Sequence, residues 1–213
     1  MAGPAVVAWL VLLSAGTLLV TPAQANSEVT AAALYYLLQS TLAGAAFFLL
    51  AGLIAEQRGK AADQFVAGPP LRATWLKIAF LLVATTAAAL PPFSGFVGKL
   101  MLLTSTRDVE AATAIWVVVL VSGFIVMAAL ARDGCYLIWK HKTAARSLPG
   151  APVGWQRATA TALLIAAGPL LAIAAHPLSN YAARTAAQLH APGVYVAGVL
   201  GAGAITTGHE ERP

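Results

Sequence analysis

Long apolar runs separated by short polar breaks dominate this chain, and the runs have the length of membrane crossings. Pro4–Val20 is apolar over 17 residues, and Ala31–Ala55, Thr113–Ala131 and Ala158–Ala175 follow the same pattern. A helix needs about 20 such residues to cross a hydrocarbon core of about 30 Å. The pattern predicts an all-α membrane protein of about five transmembrane helices. They form a bundle over residues 1–175, followed by an amphipathic and flexible tail over 176–213. Within the tail, Leu178–His190 reads as a short surface helix with Arg184 and Gln188 on its polar side. Gly193–Ile205 is apolar but too short to span.

The third crossing departs from the others. Arg72–Leu90 is apolar, then comes Pro91-Pro92-Phe93-Ser94-Gly95, then a second apolar run, Phe96–Leu103, holding one charge, Lys99. A single straight helix over residues 72–105 would run about 50 Å, too long for the membrane. A hairpin at the prolines would leave a second leg of about 18 Å, too short to cross. One span interrupted at Pro91-Pro92 and Gly95 satisfies both limits. Proline lacks an N–H and clashes with the preceding turn, so it ends the first half-helix. Ser94 is a suitable N-cap for the second. Freed backbone groups at membrane depth are tolerated only inside protein or beside water. The break is therefore expected to face other helices or a wet cavity.

Lys99 follows that break by about a turn and a half. A lysine facing lipid is costly. Two readings fit its position: its ammonium snorkels to a headgroup near Thr104–Arg107, or it carries protons from inside the bundle. In the second span Tyr36, Gln39 and Ser40 fall at i, i+3 and i+4 and share a face, which Gly44 continues. Interhelical hydrogen bonding accounts for that face, and so does a polar path that keeps water in place. With Ser94 they form the supporting path expected around Lys99.

The first run admits two readings. Ala23-Gln24-Ala25 has the form of a signal cleavage site, but no Lys or Arg precedes Arg58 and the run is long for a signal peptide. A retained span is the favoured reading. Composition adds little beyond the membrane class: 59% of residues are hydrophobic and 10% charged, against about a quarter charged in soluble domains. The net charge of +5 sits in connecting loops. It is expected to set topology, with no nucleic-acid role. The lone Cys135 has no disulfide or metal companion, and no cofactor-binding motif occurs. Arg58, Lys60, Arg72, Arg132, Lys140, Lys142, Arg146 and Arg157 gather on one side, with Arg107, Arg184 and Arg212 on the other. The first side is expected to be cytoplasmic, with both termini outside. Trp139 and Trp155 suit the interface belt.

Residues 89–99, Ala-Leu-Pro-Pro-Phe-Ser-Gly-Phe-Val-Gly-Lys, resemble a signature of two related systems. One is the multisubunit monovalent cation/proton antiporters (Mrp, also called Mnh or Pha). The other is the membrane arm of respiratory NADH:quinone dehydrogenase. Residues 34–45 and the Arg132-Asp133-Gly134 turn followed by Leu137-Ile138-Trp139 look like the D subunit of the antiporters. The resemblance implies the C-terminal part of such a protein in a bacterial cell membrane, working with other subunits and with an N-terminal half. It implies exchange of Na+ or K+ for H+ by a secondary transporter, with the dehydrogenase subunit or an inactive scaffold as alternatives. It implies a discontinuous helix and a protonatable station at Lys99. Many relatives have a histidine near Gln39 and a lysine near Gly44. Neither is present here, so a second titratable station in this span is not expected.

Overall fold

In the computed structural model, the described residues are 3–19, 24, 26–58, 71, 73–138, 154–191, 193, 198 and 199. They form seven helices in chain order: α1 Gly3–Leu19, α2 Ser27–Arg58, α3 Thr74–Ala87, α4 Ser94–Ser105, α5 Ala112–Ile138, α6 Trp155–Ile173 and α7 Ala175–Leu189. Among the described residues there is no strand. α2, α5 and α6 are long and apolar enough to cross a membrane, while α1 and α3 are shorter apolar helices. The protein is an all-α membrane protein. α3 and α4 are consecutive pieces on either side of residues 88–93, which are not helical.

α2 is the central element and packs against α1, α3, α4, α6 and α7. Its 32 residues alternate bulky and small side chains. Phe47, Leu50, Leu53 and Ile54 are buried in the largest apolar cluster, with Val6 and Val7 of α1, Leu76 and Phe80 of α3, and Leu130 of α5. Phe47 and Phe80 meet edge to face with centroids 5.8 Å apart, a geometry aromatic quadrupoles favour. Lipid tails are as apolar as leucine, so close fit rather than water exclusion holds such helices together. Glycines supply that fit. A Cβ on Gly44 would lie 3.7 Å from Val11 of α1, and one on Gly98 would lie 3.3 Å from the Tyr36 ring.

Several boundaries differ from the sequence expectation. α2 extends through Glu56 and Arg58, which were expected in a loop. Arg58 is buried and Glu56 pairs with Arg157 at the start of α6. α5 continues through Arg132-Asp133-Gly134 to Ile138 instead of turning there. Gly134 survives inside the helix because Phe80 packs on it: a Cβ would meet the ring at 3.1 Å. Asp133 is buried, with Arg132 beside it at 3.6 Å. Cys135 is exposed near the end of α5. α7 is docked on the start of α2, where Ala182 and Ala186 pack against Ala31, and His190 shares a 2.9 Å hydrogen bond with Thr30. Arg184 and Gln188 are exposed, as a surface helix requires, and so is Trp155. Trp139, Arg72, residues 59–70, residues 139–153 and nearly all of 193–205 lie outside the described residues.

Helix direction corrects one expectation. Val6 of α1 shares a groove with Arg132 and Asp133 near the end of α5, whereas α7 sits at the start of α2. The start of α1 and α7 therefore lie at opposite ends of the bundle.

The Phe80–Gly134 contact yields a test. Gly134→Val should push Phe80 off Phe47 and lower stability by about 1–3 kcal/mol, the usual scale of overpacking. Gly16→Ala, where a Cβ meets nothing within 4 Å, should leave the thermal midpoint unchanged or slightly raised. Thermal denaturation of both variants in detergent checks this.

Candidate functional site

The interruption between α3 and α4 is built from backbone hydrogen bonds that leave few donors unsatisfied. α3 ends at Ala87, ahead of Pro91, because the residue before a proline is pushed out of the helical region. The Ala89 N–H donates to the Thr86 carbonyl at 3.2 Å and the Leu90 N–H to the Thr85 carbonyl at 3.0 Å. That is the pairing of a Schellman C-cap. The cap demands a left-handed residue, and Ala89 supplies it at φ 59° where glycine is usual. The Pro91-Pro92 bond is cis, and the Phe93 N–H reaches back to the Leu90 carbonyl at 3.1 Å. Pro91 and Pro92 are exposed. They carry no N–H, so facing outward leaves no donor unsatisfied. The expectation that the whole break turns inward holds only for Ser94 and Gly95, which are buried.

Ser94 does not cap α4. Phe93 occupies the N-cap position without a side-chain hydrogen bond, and Ser94 is the first helical residue. Its hydroxyl is completely buried and has no hydrogen-bond partner. Gly95 is required by contact: a Cβ there would lie 2.1 Å from the Thr86 carbonyl oxygen. No side chain fits, so the start of α4 presses directly on the end of α3.

Lys99 is half-buried one turn further along α4. A Cβ on Gly123 would lie 3.0 Å from its Nζ, so the missing side chain on α5 is what admits the amine. Gly123 is 11 residues from the first and 15 from the last residue of α5. The nearer end is about 16 Å away along the helix axis. The amine is thus at mid-height in the bundle and not at the level of Thr104–Arg107.

Lys99 also lines a cavity of about 50 Å³ together with Tyr36, Gln39, Ser40 and Gly44 of α2, Ser14 of α1, and Thr86 and Gly95 at the break. That volume holds a few water molecules. Tyr36 and Gln39 are buried. Ser40 is half-buried and its hydroxyl donates to the Leu37 carbonyl of its own helix at 3.2 Å. The residues picked from sequence as one face thus converge on the lysine. Ser94 lines the neighbouring cavity instead, with Gln39, Ala43 and Thr86 common to both. Sequence reasoning missed Thr86 and Gly123. A threonine one turn before the proline pair was the available signal for the first. Nothing in a lone mid-span glycine marked the second. It also passed over Tyr35, whose hydroxyl donates to the Leu171 carbonyl of α6 at 3.0 Å. Among the described residues no group of His, Cys, Asp and Glu is arranged to hold a metal ion.

Residues 13–126, which carry α2, the break, Lys99 and Gly123, match the family described as NADH:quinone oxidoreductase/Mrp antiporter, transmembrane. The match covers more than half of the chain. The chain belongs to this family. It is 31% identical over 221 residues to the D subunit of a probable K+/H+ antiporter of Rhizobium meliloti, an alignment covering 90% of this chain and 40% of the relative. It is 26% identical to the D subunit of a Na+/H+ antiporter of Alkalihalophilus pseudofirmus, covering 80% of this chain and 34% of that one. The D subunit of a Na+/H+ antiporter of Bacillus subtilis is 28% identical over 63% of this chain and 27% of its own length. The chain thus spans two-fifths or less of the length of these relatives.

The cap at Ala89 generates a paired prediction. Ala89→Gly should relieve a left-handed strain of about 1–2 kcal/mol and raise the thermal midpoint. Gly95→Ala should lower it or prevent assembly, because the new methyl overlaps a backbone oxygen. Thermal denaturation and yield of the purified variants check both signs.

Proposed function

We propose that this chain forms the Lys99-bearing part of the membrane subunit of a monovalent cation/proton antiporter, exchanging Na+ or K+ for H+. The observation that carries the reading is the seating of one amine at mid-height, beside a helix break, in a small cavity shared with Tyr36, Gln39 and Ser40. An amine there can hold a proton and release it to water ordered by the tyrosine hydroxyl and the glutamine amide. The buried side of the break, at Ser94 and Gly95, brings backbone close to the lysine inside the bundle. The likeness to the D subunits of three antiporters supports the cation/proton class over the dehydrogenase. One lysine and a cavity of about 50 Å³ make a station and not a full route, so other subunits and companion helices complete the path.

The same reading places the chain in a bacterial cell membrane. The ends of α2 and α5 and the start of α1 then face the cytoplasm, because the basic loops gather there. α7 and the turn at Arg107 face outward.

Lys99→Ala in the assembled complex should abolish Na+- or K+-dependent proton exchange in everted vesicles while assembly is kept. Normal exchange in well-assembled Lys99→Ala complexes would refute the assignment. For orientation, single cysteines replacing Asp108 and Gly154 in a Cys135→Ala background should label from opposite sides, Gly154 from the cytoplasm. Labelling of both from one side contradicts the topology.

A further inference from the structure

Ser94, Ile165 and Gln39 surround a second cavity of about 10 Å³ beside the lysine cavity, also lined by Thr86 and Gly168. Three observations converge on it. The Ser94 hydroxyl is fully buried and has no partner. Buried hydroxyls are nearly always satisfied, by protein or by ordered water. On α6, Pro169 has no amide hydrogen. The Ile165 carbonyl, four residues earlier, therefore lacks its helical donor, and Ile165 is one of the lining residues. Finally, the volume is close to that of one water molecule, which needs two to four polar partners. The Gln39 amide and the Thr86 Oγ1, already donating to the Leu82 carbonyl at 2.8 Å, supply the rest. The cavity stays open because Gly168 has no side chain: a Cβ there would lie 3.2 Å from Thr86 Oγ1.

We propose that this cavity is a water-binding site in which one ordered water joins the Ser94 hydroxyl to the Ile165 carbonyl freed by Pro169, and that Gln39 links it to the cavity of Lys99. The water answers the unpartnered Ser94 hydroxyl at the start of α4 and the carbonyl of α6 that Pro169 leaves without its helical donor. It also extends the hydrated region from Lys99 towards α6. Gln39 and Thr86 line both cavities and act as the constriction between them. A proton leaving Lys99 then has a hydrogen-bonded step towards α6. Ser94 and Gln39 are positioning residues here: they hold the water and do not themselves change protonation state. This role rests on the transport reading above, whereas the water site does not.

The test uses the assembled complex. A high-resolution cryo-electron microscopy map should show a water within hydrogen-bond distance of Ser94 Oγ, and the Ser94→Ala map should lack it. Ser94→Ala should lower the thermal midpoint and slow exchange by about fivefold to tenfold, the scale of one lost hydrogen bond. A dry cavity predicts the opposite sign: removing an unpaired hydroxyl would leave stability unchanged or raised. Gly168→Ala, which narrows the cavity from the α6 side, should also slow exchange. An empty cavity in a map that shows other internal waters, with Ser94→Ala at wild-type stability, overturns the site. Water present but exchange unchanged in both variants overturns its role in transport. Unimpaired exchange in Lys99→Ala is the separate outcome that removes the transport reading itself.

Discussion

The contact between the Gly95 backbone and the Thr86 carbonyl is the constraint on which the rest of this structure depends. It lets two short helices stack as one interrupted crossing. A side chain at residue 95 would hold α4 away from α3, and Ser94 and Lys99 would move with it. The Schellman pairing at Ala89 and Leu90 then closes the first helix without stranding its last carbonyls. The prolines need no donors and can face outward. The end of α3 and the proline pair thus meet their backbone hydrogen-bond requirements by different routes, and the Ser94 hydroxyl is left without a protein partner.

The apolar crossings, the site of the break and the shared helix face of Tyr36, Gln39 and Ser40 could be read from spacing, whereas the meeting of that face with Lys99 needed the fold. Helix period and membrane thickness are strong constraints, and a proline pair inside an apolar run is a strong punctuation. What could not be read depended on three-dimensional neighbours. Arg58 and Asp133 look like loop charges in a linear pattern, yet α2 and α5 run past the apolar stretch and bury them. Ser94 looks like a cap because serine usually is one, but Phe93 takes that place. Gly123 and Gly134 carry no local signal, since their significance lies in what Lys99 and Phe80 need from across the bundle.

The surface of the bundle shows what surrounds it. α5 presents Val117, Val118, Leu120, Val121, Phe124 and Ile125 outward, a continuous apolar face that water would not tolerate. α6 likewise exposes Leu163, Leu170 and Ile173. Lipid or neighbouring helices satisfy these faces equally well by composition. The polar groups, by contrast, are concentrated inside, on α2 and at the break. This inversion gives the lysine its meaning: an amine placed among the outward residues of α5 would gain nothing but a headgroup.

The two helix defects occur at one level. Thr86 sits at the break in the α3–α4 crossing, and Gly168, beside Pro169, packs directly on it from α6. A proline in one helix and a proline pair in another would each leave backbone groups in need of partners at membrane depth. Placed at different heights, each would need its own wet pocket, and each pocket would weaken packing nearby. Brought to the same height, they share adjoining cavities, and the amine of Lys99 stands beside that shared space. Close-packed apolar clusters lie on either side of that layer. The proton station proposed at Lys99 needs that arrangement: water enough to exchange a proton locally, and dry protein above and below to stop it leaking.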